Sequence, residues 1–259
     1  MSDQIQNTKL SDAQENYLKA LNIIKSEDTD ADSAISYLSK AANHGLREAQ
    51  YQLGVIYFKG QYVRKNQDVA LEWFEKSAAV NYIPAQFALA TLYTQAEKYQ
   101  QALVYLEILA KDDVPEAQTN LADFYLCSKG VDKDIKKAVL LLTQAANNND
   151  RLAQYRLGLL YYQGVDVPTD YIKARKYIVL AMEQHYLPAY FVMGAMLEHG
   201  YGIKKDVTKA YSLYYYCQSY GMLELSELLE DILNDHDAIE QQHIQLKSQE
   251  YYRYEPAPE

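Results

Sequence analysis

The nine residues AQYQLGVIY at positions 49–57 recur along this chain of 259 residues. Close copies stand at 85–93 (AQFALATLY), 117–125 (AQTNLADFY) and 153–161 (AQYRLGLLY), and looser ones begin at Ala13 and Ala189. The leading alanines are 36 residues apart, except for one spacing of 32 residues. A regular period of this length is typical of proteins that stack one supersecondary unit on the next.

A second series of alanines follows the first by 21 residues, or by 17 in the short repeat at 85–112. Its members are Ala34, Ala70, Ala102, Ala138, Ala174 and Ala210. Around both series apolar residues recur at intervals of three and four, which predicts amphipathic helices. The repeat is therefore two antiparallel helices, named here helix A and helix B, each about 12–14 residues long. The sequence predicts an all-α, right-handed α-solenoid of about six helix-turn-helix repeats.

Helix boundaries carry their own signals. Residues of N-cap type stand four places before most helix B alanines. They are Asp30, Asn66, Asp134, Asp170 and Asp206. Lys98 holds that place in the short repeat, where we expect a tight turn from Gln95. Pro84 and Pro188 suit the first turn of helix A. The glycines expected to end A helices are Gly60, Gly130, Gly164 and Gly200.

The two ends of the chain depart from the repeat. We expect an N-terminal arm at 1–12, the solenoid at 13–221, capping helices at 222–252 and a disordered tail at 253–259. Leucines and isoleucines between Leu223 and Leu233 form the apolar face of one last A-type helix, and Asp235 is the expected cap of the helix after it. A polar final unit stops the stacking and keeps a solenoid soluble.

The repeat resembles a known family. The order Ala-Gln-Tyr-x-Leu-Gly-x-x-Tyr, then Gly, then Asp and Lys-Ala, then paired small residues, is similar to the Sel-one-like repeats of the tetratricopeptide-like α-solenoids. Residues 153–185 and 200–210 match it best, and the resemblance covers 13–220. It implies protein–protein scaffolding, with the A helices lining a concave surface.

Charge and composition limit the classes of function. The net charge of −10 divides into −4 for residues 1–33, +2 for 34–221 and −8 for 222–259. This acidic balance disfavours a nucleic acid as the partner. No apolar run approaches the ~20 residues of a membrane span, and the N-terminus does not read as a secretory signal. With Cys127 and Cys217 as the only cysteines, we expect a cytoplasmic protein without a disulfide framework or membrane insertion.

Catalytic signals are weak. No two of the five histidines have the spacing of metal ligands. The neighbours of Cys127 in sequence offer no base that would make it a nucleophile. No phosphate-binding glycine loop and no Gly-x-Ser-x-Gly elbow occurs. We therefore expect no enzyme activity, no cofactor and no metal.

Binding residues follow by analogy with the concave face of tetratricopeptide-like stacks. The expected partner-binding residues are Tyr51, Phe58, Lys59, Phe87, Tyr155, Tyr162, Phe191, Glu198 and His199. Aromatic residues flanked by polar ones are typical of a groove that holds a peptide or a domain. The alternative is that an aromatic residue two places after the helix A alanine only packs between helices.

Tyrosine is unusually frequent, with 26 residues. Tyr214, Tyr215 and Tyr216, and a second group at 251–254, are not explained by the repeat. Amphipathic aromatic side chains favour interfaces. These tyrosines are therefore either contact surface or packing of the C-terminal cap.

Three functions fit these observations. The first is a non-catalytic scaffold or adaptor that binds a partner protein or peptide on the concave face. The alternative is a cytosolic inhibitor, such as an immunity protein that neutralises a basic toxin or enzyme, since an acidic solenoid suits a basic partner. A helical-repeat RNA binder is the third, and the net charge disfavours it.

Overall fold

The computed structural model describes residues 2–25, 30–221 and 225–252. Within these ranges every regular element is an α-helix and no strand occurs, as predicted. The helices are α1 (Ser2–Lys25), α2 (Ala31–Asn43), α3 (Arg47–Lys59), α4 (Gln67–Ala78), α5 (Ile83–Gln95), α6 (Tyr99–Lys111), α7 (Pro115–Leu126), α8 (Ile135–Asn147), α9 (Arg151–Gln163), α10 (Tyr171–Glu183), α11 (Leu187–His199), α12 (Val207–Ser219), α13 (Ser226–Asn234) and α14 (Ala238–Tyr252). The predicted arm at 1–12 falls largely within α1.

The helices form two compact units, named here unit 1 (Met1–Asp112) and unit 2 (Asp113–Glu259). In unit 1 the hairpins α1–α2, α3–α4 and α5–α6 pack in chain order, with α2 against α3 and α4 against α5. In unit 2 the hairpins α7–α8, α9–α10 and α11–α12 do the same, and α12 also contacts α13 and α14. Each odd-numbered helix is a helix A and each even-numbered one a helix B.

The glycine of the repeat lets the two helices of a hairpin approach closely. A Cβ on Gly54 would lie 2.6 Å from the ring of Phe74, and one on Gly158 would lie 2.6 Å from Cδ1 of Ile178. Gly194 stands in the same relation to the ring of Tyr214. Because only a residue without a side chain leaves room for these groups, the small residue is a packing requirement of the hairpin.

In two repeats the glutamine after the helix A alanine connects that repeat to the previous one. Nε2 of Gln50 donates to the carbonyl of Ala42 at 3.0 Å, and Nε2 of Gln154 donates to the carbonyl of Ala146 at 3.2 Å. Both glutamines are buried. The carbonyls at a helix C-terminus have no partner within the helix, so each glutamine satisfies one end of the preceding helix B.

The predicted N-caps are present. The side chains of Asp30, Asn66, Asp134, Asp170 and Asp206 each accept a hydrogen bond from a backbone N–H in the first turn of a B helix. Lys98 begins α6 without such a bond, and the connection from α5 spans only Ala96 to Lys98. Pro84 and Pro188 lie in the first turns of α5 and α11, and Pro115 does the same in α7.

One predicted C-cap is wrong. Gly60, Gly164 and Gly200 end their A helices in the left-handed conformation, but Gly130 does not end α7. That helix stops at Leu126 with Cys127 as its C-cap, and Ser128 takes the positive φ of 54°. The chain has therefore already turned before it reaches Gly130.

The C-terminal cap also differs from the prediction. Asp235 follows α13 as its C-cap, while Asp237 accepts the N–H of Glu240 at 2.9 Å and caps α14. The position of Leu223 lies outside the described residues. The helix α14 packs against α12 and buries Ile244 in the core of unit 2, so its apolar contact is with the last complete hairpin.

In two repeats the tyrosine that ends the motif pairs with a tyrosine of helix B. The rings of Tyr93 and Tyr105 stack 6.1 Å apart, and those of Tyr161 and Tyr177 stack 6.3 Å apart. Burial and the hydrogen bond to Glu75 raise the pKa of Tyr93 to about 12. These tyrosines pack the two helices of a hairpin against each other. This packing accounts for part of the high tyrosine content.

Candidate functional site

A cleft of about 430 Å³ lies in unit 1 between α3 and α5. Four predicted binding residues line it, namely Tyr51, Phe58, Lys59 and Phe87. Tyr51 and Phe58 lie two helical turns apart on α3, which places them on one face of that helix. We name this site the α3–α5 cleft.

The floor of the cleft comes from helix B. The ring of Phe74, on α4, occupies the space left by Gly54 and is 2% exposed, yet it reaches the cleft. Tyr51 meets Phe74 at 5.7 Å and Tyr82 at 5.6 Å between ring centroids. Val55, Ala88 and Leu92 complete an apolar interior. The sequence offered no direct sign of Phe74, because its repeat position predicts only packing.

Basic and polar groups surround the opening. Lys59 is exposed, and Nζ of Lys65 lies 5.5 Å from the ring centroid of Phe58. Lys65 belongs to the exposed loop after α3. Gln95, at the end of α5, adds an amide to the lining. The cleft therefore combines an aromatic interior with a positively charged edge.

Two predicted residues of unit 2 have packing partners. Tyr155 contacts the ring of Tyr186 at 5.1 Å, and Phe191 contacts Tyr214 at 5.3 Å. Each of them is half-buried. In the third repeat the equivalent residue is Thr119, which is buried and donates to Asp150 at 3.1 Å. An aromatic residue at this position thus has a structural role, whether or not it binds a partner.

Of the remaining three predicted residues, Tyr162 and His199 lie near Tyr201, and Glu198 lies near Tyr162. The ring of Tyr162, on α9, lies 6.2 Å from the ring of Tyr201 between centroids. The ring of His199, on α11, lies 5.3 Å from the ring of Tyr201. Glu198 accepts a hydrogen bond from the hydroxyl of Tyr214 at 2.8 Å. Burial and then this bond raise the pKa of Tyr214. Tyr201 itself was not predicted, although its place between Gly200 and Gly202 marks an exposed loop.

The tyrosine run at 214–216 is mostly packing. Tyr214 is 1% exposed and Tyr216 is fully buried against Tyr190 at 4.9 Å, while Tyr215 faces solvent. Of the second group, Tyr251 and Tyr252 belong to α14 and Tyr254 lies outside the described residues. The structure favours cap packing for Tyr214 and Tyr216.

The two thiols have different surroundings. Cys127 is exposed at the end of α7. Cys217 is buried in α12, and burial raises its pKa to about 12. Among the described residues no group of three His, Cys, Asp or Glu side chains is placed to hold a metal ion. None of the described helices has the length and hydropathy to cross a bilayer.

Comparison with known proteins identifies the repeat. The model of the Sel1 repeat matches residues 13–46, 47–82, 115–150, 151–186 and 187–217. The chain belongs to the Sel1 repeat family. Sel1 repeat proteins are generally protein-interaction scaffolds. The short repeat falls in the interval between the second and third matched segments.

Relatives and solved structures agree with this assignment. An uncharacterized protein of Neisseria meningitidis is 31% identical over 181 residues, which are 68% of this chain and 38% of that protein. The structure of c5321, a protective antigen of uropathogenic Escherichia coli with an SLR fold, superposes with a TM-score of 0.75 and 26% identity over 96% of this chain and 54% of that one. The structure of a Sel1 repeat protein of Oxalobacter formigenes superposes with a TM-score of 0.68 and 26% identity, over 85% of this chain and 66% of that one.

Proposed function

We propose that this Sel1 repeat chain is a scaffold that binds a segment of a partner protein in the α3–α5 cleft. The observation that carries the proposal is the convergence of Tyr51, Phe58 and Phe87 on one apolar cleft in unit 1. Aromatic pockets with a polar edge are where most of the binding energy of protein interfaces concentrates. The general role of Sel1 repeats in protein interaction supports the same conclusion.

The chemistry of the cleft indicates what the segment contains. An aromatic or large aliphatic side chain would fill the space above Phe74 and bury apolar surface. Acidic residues beside this anchor would face Lys59 and Lys65. Such charge complementarity mainly sets association rate and specificity, whereas the buried anchor supplies most of the affinity. We propose binding without catalysis, and the low reactivity expected of the buried Cys217 thiol is consistent with this.

A peptide library displayed on phage and selected on the full chain tests the proposal. We expect the selected peptides to share an aromatic or leucine-type anchor with Asp or Glu within three positions of it. Their affinity should fall several-fold when Lys59 and Lys65 are both replaced by Ala, since an exposed ion pair is worth about 0.2–1 kcal/mol. Peptides without an anchor, or with a basic flank, would contradict the proposal.

The inhibitor of a basic toxin or enzyme is the second candidate, supported by the net charge of −10. Long-range attraction between the chain's carboxylates and a basic partner is screened by salt. Association with such a partner would slow by orders of magnitude as the ionic strength rises. Binding governed by the apolar anchor would change far less, so a salt titration with the partner separates the two functions.

A further inference from the structure

Three tyrosines of unit 2 form one surface, named here the tyrosine cluster. Tyr162 comes from α9, Tyr171 begins α10 and Tyr201 lies in the loop after α11. The rings of Tyr171 and Tyr201 stack 4.6 Å apart with 5° between their planes. Tyr162 meets them edge-on, at 6.0 Å and 6.2 Å between centroids. Tyr201 is 38% exposed, so part of the stack is open to solvent, and the ring of His199 lies 5.3 Å from that of Tyr201.

A carboxylate lies beside the cluster. Oε2 of Glu198 accepts the hydroxyl of Tyr214 at 2.8 Å. Glu198 is also near enough to add to the raised pKa of Tyr162, after burial, Tyr201 and Tyr171. Throughout the described ranges no Lys or Arg pairs with Glu198 and no hydrogen bond reaches its Oε1. The carboxylate therefore has an unused acceptor oxygen and no cation.

Several other rings in the protein have a cation of their own. Nζ of Lys76 lies 4.1 Å from the ring of Trp73, and Nζ of Lys173 lies 5.0 Å from that of Tyr161. Of the lysines and arginines that the structure describes, none lies over Tyr162, Tyr171 or Tyr201. The tyrosine cluster thus differs from those rings, since it has a carboxylate at its side and no described Lys or Arg over it.

We propose that the tyrosine cluster and Glu198 bind an arginine side chain of a partner protein. A guanidinium is planar, stacks on aromatic faces and donates hydrogen bonds to a carboxylate in the same plane. Stacked on the exposed part of the tyrosine cluster, it would direct an N–H toward Oε1 of Glu198, which lies near Tyr162. A lysine ammonium lacks this planar group and is more strongly hydrated, so arginine suits the surface better.

This site is separate from the α3–α5 cleft and does not depend on it. The cleft has an apolar interior with a basic edge, whereas the cluster is aromatic with an acidic side chain. Free arginine derivatives are small enough to test the cluster directly. Failure of one proposal therefore leaves the other intact.

The test is an NMR titration of the ¹⁵N-labelled full chain with Nα-acetyl-arginine amide. The matched probes are Nα-acetyl-citrulline amide, which is neutral and of nearly the same shape, and Nα-acetyl-lysine amide. We expect the backbone amides of Glu198 and Tyr201 to shift with the arginine probe. The arginine probe should bind about tenfold more tightly than the citrulline probe, because a charge-assisted hydrogen bond is about twice as strong as a neutral one, and more tightly than the lysine probe.

Two variants assign the effect to the cluster. Glu198→Gln keeps an oxygen for the hydroxyl of Tyr214 but removes the charge, and Tyr201→Leu removes an exposed ring with little effect on folding. Each should weaken binding of the arginine probe about fivefold or more, because Glu198→Gln removes the charge-assisted hydrogen bond and Tyr201→Leu removes a cation–π contact.

Glu183→Gln and Tyr62→Leu are the matched controls, since both residues are exposed and lie outside the cluster. They should leave the affinity for the arginine probe unchanged. The proposal is overturned by the absence of binding, by equal binding of citrulline or lysine, or by unchanged affinity in Glu198→Gln. Amide shifts that map elsewhere in the chain would overturn it too.

Discussion

Phe74 contributes to a site that its own repeat position does not indicate. Its ring fills the volume left by the missing side chain of Gly54 and so reaches from α4 to the floor of the cleft. Gly158 and Gly194 admit Ile178 and Tyr214 in the same way. In unit 1, the packing that joins helix A to helix B therefore also determines which helix B side chain reaches the cleft.

The two cysteines differ in burial and should therefore differ in reactivity. Burial raises the pKa of Cys217 to about 12, so its thiolate is favoured only at strongly alkaline pH. The reactive form of a cysteine is the thiolate. At pH 8 iodoacetamide should therefore modify Cys127 alone in the folded protein, and both cysteines in concentrated urea. Mass spectrometry counts the labels, and Cys127→Ser should take up none while folded. Rapid native labelling of Cys217 would contradict the burial described here.

Most features of the helices could be predicted from the sequence, and two helix boundaries could not. The period, the helix count and five N-caps were predictable, because cap residues and apolar spacing act locally. Gly130 was misplaced because a positive φ at Ser128 ends α7 earlier, and αL is open to a serine at some cost. Asp237, not Asp235, caps α14, because Asp235 still belongs to the end of α13 as its C-cap. The tyrosine cluster joins three helix ends, so no local pattern predicts it.

Helix α6 has no side-chain cap at Lys98, and a cap could be introduced there. Lys98 has φ −82° and ψ 60°, nearly those of Asp30, whose side chain accepts the N–H of Ser33 at 3.1 Å. Lys98→Asp should therefore supply the missing cap and raise the free energy of unfolding by about 1 kcal/mol. Urea denaturation measures it, and Lys98→Ala is the control that gains nothing. Equal stability of the Asp and Ala variants would show that the cap does not form.

The chain divides into its two compact units at the place where the repeat is irregular. The short repeat ends unit 1, and the matched Sel1 repeats lie on both sides of it. Each unit has its own apolar core. The two proposed sites have opposite chemistry, with basic side chains at the cleft of unit 1 and a carboxylate at the cluster of unit 2. A partner that uses both would present an acidic segment with an apolar anchor and, elsewhere, an arginine.

We propose that the α3–α5 cleft binds a partner segment through an anchor side chain, and Phe87 tests this most directly. Phe87→Ala removes a half-buried ring from the lining, and Ile83→Ala is the matched control, an exposed residue on the same helix outside the cleft. Isothermal titration with a library-selected peptide measures the effect on each folded variant. Loss of an anchor contact costs about 2 kcal/mol or more, which is roughly a thirtyfold rise in Kd. We predict that rise for Phe87→Ala and none for Ile83→Ala, whereas equal Kd values for the parent and both variants would contradict the account.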